Sequence, residues 1–133
     1  MPNKIGILTY YWPPSGGSGV QRWLRFSNEL VKLGYDVHVF TFKNPKYPIV
    51  DNELLKKVDN KIKVNFISGF ELPNFLTNKN SNSSESYKNS GVKSFVRELF
   101  FFPDSRKYLI SPAVKHIKKY IEKTPLNCLI TSG

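Results

Sequence analysis

The hydrophobic period of this chain changes abruptly across one loop, and that change constrains the fold more than any other feature. Lys4 to Tyr10 is a short apolar run rich in strand formers, and the stretch Trp12-Pro13-Pro14-Ser15-Gly16-Gly17-Ser18-Gly19 that follows it is dense in turn residues. From Val20 the apolar positions recur at helical spacing through Val20, Trp23, Leu24, Ser27, Leu30 and Val31, while Arg22, Arg25, Glu29 and Lys32 take the other side. Gly34 is placed to stop that helix as a C-terminal cap. Asp36 to Phe42 is then largely apolar and β-branched, the pattern of a strand covered on both faces. Residues 4–42 read as strand, glycine-rich loop, helix and second strand, the unit from which parallel sheets are wound.

The remainder continues the alternation. Asn52 to Val58 is a short helical candidate, and Ile62 to Ile67 is a third strand. Thr77 to Ser90 is rich in Asn, Ser and Lys with almost nothing to bury, which predicts a mobile loop. Val92 to Phe102 returns to helical spacing through Val92, Phe95, Val96 and Leu99. A further helix is predicted over Ser111 to Lys123, with Ser111 as its cap, Pro112 at its first position, and Val114, Ile117 and Ile121 facing inward. Asn127 to Thr131 is a fourth strand, and Ser132-Gly133 begins the next loop. The expected fold class is α/β: a Rossmann-like, mainly parallel sheet in the order 3-2-1-4 with flanking helices. Because the chain stops where the ligand-side loop of its fourth strand begins, residues 1–133 are expected to be part of one domain of a longer protein.

Charge and cysteine content narrow the partners. Twenty Lys and Arg stand against ten Asp and Glu, a formal net charge of +10 that favours an anionic partner: a nucleotide phosphate, a lipid phosphate, an anionic membrane or nucleic acid. Cys128 is the single cysteine, so an intramolecular disulfide is excluded and a reducing compartment is the simpler reading. The apolar run after Met1 is too short for a signal peptide or a membrane span, which points to a cytoplasmic protein. In that setting the formal sequon Asn82-Ser83-Ser84 carries no function.

The loop between strand one and the first helix is where chemistry is expected. In open parallel sheets ligands bind beyond the carboxyl ends of the strands, and a helix starting there presents free N–H groups and a partial positive charge. Gly16, Gly17 and Gly19 let the backbone come close to a phosphate. A dinucleotide fingerprint is a poor match, because Arg22 stands where a third glycine belongs and Thr41, Phe42 and Lys43 occupy the carboxyl end of strand two, where a ribose-binding acid is required. Asp36 is at the wrong end of that strand. A P-loop needs Gly-Lys-Ser or Gly-Lys-Thr, which the loop lacks.

The stretch Ile7-Leu8-Thr9-Tyr10-Tyr11-Trp12-Pro13-Pro14-Ser15-Gly16-Gly17-Ser18-Gly19-Val20-Gln21-Arg22, followed by Leu30-Val31-Lys32-Leu33-Gly34-Tyr35-Asp36-Val37-His38-Val39, resembles the N-terminus of the family 4 glycosyltransferases with the GT-B fold. A weaker echo is the Pro-Asp turn in Phe102-Pro103-Asp104-Ser105-Arg106. The resemblance implies two Rossmann-like domains facing a cleft, with a glycan or lipid-linked acceptor held mainly by the N-terminal domain and the nucleotide sugar mainly by a C-terminal domain outside residues 1–133. It also implies retention of anomeric configuration without an essential metal or other cofactor, and an acidic pair in that second domain. Carried over by position, Gly16 and Gly17 approach the donor diphosphate, with Ser18, Gly19 and Arg22 in the same anionic region, and Asp104 and Arg106 fall on the acceptor side. The catalytic residues are not identified within this stretch, and residues 1–133 alone are expected to be inactive.

Other candidates read as structural. His38 lies within a strand and His116 on a basic helix, and neither has an acid in a recognisable catalytic pattern. The Phe95 to Phe102 stretch flanked by Lys93, Arg97, Arg106 and Lys107 allows peripheral contact with the anionic inner face of a membrane, against the plainer reading of a core helix with a solvated face. Nucleic acid is not an expected partner, since the lysines are spread along the chain with no binding module. The rival functional class is a basic, non-catalytic module that binds an anionic ligand, and a dehydrogenase-like cofactor domain ranks third.

Overall fold

A computed structural model of the chain describes residues 2–43, 47–68 and 107–132. Four parallel strands form one sheet: β1 (Lys4–Leu8), β2 (Asp36–Phe42), β3 (Lys63–Ile67) and β4 (Cys128–Thr131), in the order β3-β2-β1-β4. Helix α1 (Ser18–Lys32) connects β1 to β2, a 3-10 turn spans Asn52–Lys57, and helix α2 (Lys107–Lys123) leads into β4. The order is the one the sequence predicts. The Thr77–Ser90 loop, the Val92–Phe102 helix with its flanking Lys93, Arg97 and Arg106, and Asp104 lie outside the described residues.

Alternation along β1 and β2 sorts the core into two layers. Ile5 and Ile7 align with Val37 and Val39 on one face, and Gly6 and Leu8 with His38 and Phe40 on the other. On the first face α1 buries Val20, Leu24, Ser27 and Val31 against Ile7, Val37 and Val39. Ser27 satisfies its buried hydroxyl by donating to the Trp23 carbonyl at 2.8 Å. The helix ends as expected of Gly34: with φ at +89°, it lets the Gly34 and Tyr35 amides donate to the carbonyls of Val31 and Leu30, the bond pair of a Schellman motif.

Helix α2 covers the second face, and here the sequence reading is corrected. The helix already runs from Lys107, the first described residue of this stretch, so Ser111 is no cap and Pro112 lies inside it. Packing explains the longer element: Leu109, Ala113, Ile117 and Tyr120 all meet the Phe40, Phe42 and Ile67 layer, and Leu109 belongs to the turn before Ser111. That gain outweighs the helical hydrogen bond lost at Pro112. The inward face is therefore rotated from the expected one. Ala113 and Ile117 are buried, whereas Val114 and Ile121 remain exposed.

A polar chain joins this helix to the amino-terminal half of the sheet. His38, 1% exposed, has Nδ1 2.6 Å from the Tyr120 hydroxyl, and its Nε2 lies 3.2 Å from Asp36 Oδ2, close enough for a charge interaction but misaligned for a hydrogen bond. Lys63 Nζ in turn donates to Asp36 at 3.0 Å. Partial burial pushes the Asp36 carboxyl up, but the contacts from Lys63 and His38 prevail and hold it below its ordinary value of 3.8. A carboxyl depressed in the fold stabilises it above the unfolded-state value, and that contribution disappears as pH falls through the folded-state value. Asp36→Asn is thus expected to be less stable than the wild type by roughly 0.5–1 kcal/mol at neutral pH. The gap should begin to narrow in urea titrations as pH falls through 3.8 and close below the folded-state value.

Candidate functional site

The strand order reverses between β1 and β4. From β1 the chain leaves through α1 on one face, while β4 is reached through α2 on the other, so the crevice at the carboxyl ends of these two strands is the position where open parallel sheets bind ligands.

The loop that enters this crevice is pinned by a set of backbone hydrogen bonds. The Thr9 amide donates to the Phe40 carbonyl at 3.0 Å, and the buried Thr9 hydroxyl donates to the Tyr11 carbonyl at 3.2 Å. Trp12, 2% exposed, drives its indole into the α1 core, and its carbonyl accepts from Ser15 at 3.0 Å across the cis Pro13-Pro14 bond. Residues 49–51 then close over the loop: the Asp51 amide donates to Pro14, the Gly16 amide donates to Ile49 at 2.9 Å, and Ser15 and Val50 form an antiparallel bridge. This tether had no sequence signal, because Ile49 and Val50 stay largely exposed and show no strand period.

The three loop glycines have different reasons to be glycine. At Gly16 a Cβ would come within 2.6 Å of Ile49 Cγ2, so the requirement is the close approach of residues 49–51, and its amide is already committed to Ile49. Gly17 has φ +104° and ψ 168°, a conformation that side chains exclude, and it turns the chain into α1. A Cβ at Gly19 would meet nothing within 4 Å, and its φ is not in the positive region. Folding does not explain that glycine.

Helix α1 therefore opens with Gly17, Ser18 and Gly19 exposed and with no side chain capping its first turn. The N–H groups of Ser18, Gly19 and Val20 have no intrahelical acceptor at that position. Arg22 is exposed one turn beyond Ser18, and helical side chains lean toward the N-terminus. The residues offered by sequence from 16 to 22 are thus brought to one place, although Gly16 contributes no free amide. Asp104 and Arg106 lie outside the described residues.

Two sets of contacts flank the strand tips. On the β4 side the Trp23 indole donates to Ser132 Oγ at 2.8 Å, and the Ser132 amide donates to the Leu8 carbonyl at 2.9 Å, so α1, β1 and β4 are tied together at the crevice. Sequence period placed Trp23 on the inner face of the helix but did not reveal this bond; the polar N–H of a half-buried indole was the available signal. On the β2 side Tyr10, Tyr11, Phe42 and Tyr47 interlock, with Tyr10 and Tyr11 edge to face at 5.0 Å. The Tyr47 hydroxyl donates to the Tyr10 carbonyl at 3.3 Å, and burial pushes its phenol above the ordinary value of 10.0, which keeps the donor protonated. At the carboxyl end of β2, Thr41 and Phe42 are buried and Lys43 is exposed, while Asp36 opens the strand at the opposite end. The ribose-binding acid of a dinucleotide site is missing from that position.

Neither histidine stands at the strand tips. His38 lies four residues before the end of β2, and His116 sits on α2 with its ring 6.4 Å from that of Phe40. No family model matches the chain, and no curated protein matches it.

Proposed function

We propose that this chain is the acceptor-side, Rossmann-like N-terminal part of a retaining, nucleotide-sugar-dependent glycosyltransferase. The transferred sugar goes to a glycan or lipid-linked acceptor in polysaccharide or glycoconjugate assembly, at the cytoplasmic face of a membrane. The observation that carries the reading is the uncapped start of α1, open at the strand-order reversal, with an exposed glycine at position 19 that folding does not require. The order of the aromatic-Pro-Pro turn, glycine loop and helix supports the family assignment.

The mechanism follows from where charge develops. A departing nucleoside diphosphate gains negative charge as its bond to the sugar breaks, and fixed N–H donors stabilise that charge without reorganising. The amides of Ser18, Gly19 and Val20 supply such donors, and Arg22 adds a mobile positive charge. A second domain brings the sugar nucleotide and the acidic pair to this edge. No metal is required where backbone amides and arginine neutralise the diphosphate.

Gly19→Ala separates this proposal from a purely structural turn. The added methyl group has open space and favours the helix, so stability is expected to rise by up to about 1 kcal/mol. Uridine and guanosine diphosphate binding, measured by calorimetric titration, is expected to weaken because the methyl group blocks backbone approach. Arg22→Gln should lower diphosphate affinity about fivefold to tenfold with stability unchanged. Unaltered nucleotide binding in both variants, or none in the wild type, would overturn the diphosphate seat. Binding without any sugar transfer, even with the natural second domain attached, would favour a non-catalytic anion-binding module.

A further inference from the structure

We propose that the outer shoulder of α2 rests on an anionic lipid surface. This deepens, and rests on, the membrane-side location in the proposed function, but it stands on a separate part of the molecule. Ile110, Val114 and Ile121 fall at i, i+4 and i+11 on one stripe beside the buried Ile117 and are 62%, 46% and 38% exposed. The apolar arc of the helix is thus wider than the sheet needs. Covering the sheet uses Leu109, Ala113, Ile117 and Tyr120, and the additional isoleucines and valine gain nothing from it.

Charge decides the occupant. Lys115, Lys118, Lys119 and Lys123 are all exposed on the same helix, against the single carboxylate of Glu122. A second copy would bring like charges together, and a nucleic acid would leave the apolar stripe without a partner. An anionic bilayer takes both parts: the stripe enters the headgroup boundary while the lysine ammonium groups reach lipid phosphates. Among the described residues, no helix is long and apolar enough to cross a membrane, so the contact is along the surface.

Vesicle co-sedimentation of the 133-residue protein tests this without any nucleotide, so its failure is distinguishable from failure of the diphosphate seat. The protein should sediment with phosphatidylcholine vesicles containing phosphatidylglycerol, not with phosphatidylcholine alone, and binding should weaken as salt rises. The pairs Val114→Glu with Ile121→Glu and Lys118→Glu with Lys119→Glu change exposed positions, and each should reduce binding at least about tenfold with the far-ultraviolet circular dichroism unchanged. Equal binding to both vesicle types, no binding, or full binding by either folded pair would overturn the proposal. So would a dimer in solution that the apolar pair dissolves.

Discussion

Trp12→Ala is expected to cost about 3–5 kcal/mol, a large share of the 5–15 kcal/mol typical of a folded domain. The indole is 2% exposed and packs with Ile7, Val20 and Leu24, so it is shared between the first strand, the loop and the first helix. Its removal leaves a cavity at the base of the loop and frees the turn that Ser15 closes on the Trp12 carbonyl. Urea denaturation should show a lower midpoint with little change in slope. The nucleotide binding proposed above should fall in the folded fraction as well, because the amides of α1 are aimed by a loop that the indole anchors. Retention of both stability and binding would show that the contacts of residues 49–51 are sufficient to hold the loop.

A comparable loss, about 3–5 kcal/mol, is expected for Phe40→Ala on the opposite face of the sheet. Phe40 is fully buried, with its ring edge to face against Tyr120 at 5.0 Å and its Cε2 closing over the space left by Gly6. Truncation removes the surface on which Ala113 and Ile117 pack, so α2 should loosen before the sheet does. Near-ultraviolet circular dichroism is the appropriate readout, since the tyrosine contacts lie there. Phe40 and Trp12 belong to separate clusters on opposite faces. Their effects should add to within about 0.5 kcal/mol, which leaves the double variant largely unfolded.

The sheet was legible because its middle strands are buried on both sides. Asp36 to Phe42 reads as an apolar run bounded by Gly34 and Lys43, and the observed strand has the expected limits. The first strand is shorter than its composition suggests: Thr9 and Tyr10 have strand composition and the Thr9 amide still donates to Phe40, but the Thr9 hydroxyl turns to the Tyr11 carbonyl and β1 ends at Leu8. The phase of α2 was not legible. Its lysines permit two inward faces, one through Val114 and Ile121 and one through Ala113 and Tyr120, and only the rings of β2 select between them.

The candidate site was legible in part. Composition marks a glycine loop before a helix, but it cannot tell a glycine needed for close packing from one needed for backbone angle or one needed for neither. Gly16, Gly17 and Gly19 are one of each. The clasp from residues 49–51 and the Trp23–Ser132 bond depend on long-range placement, which periodicity does not encode.

The two tryptophans also make the molecule its own optical probe. Trp12 is sealed in the interior, whereas Trp23 is only partly buried and hydrogen-bonds Ser132 at the mouth of the crevice. Quenchers dissolved in water should reach the second chromophore and miss the first. Emission from the intact protein therefore reports occupancy of the mouth through one ring and loss of the interior through the other.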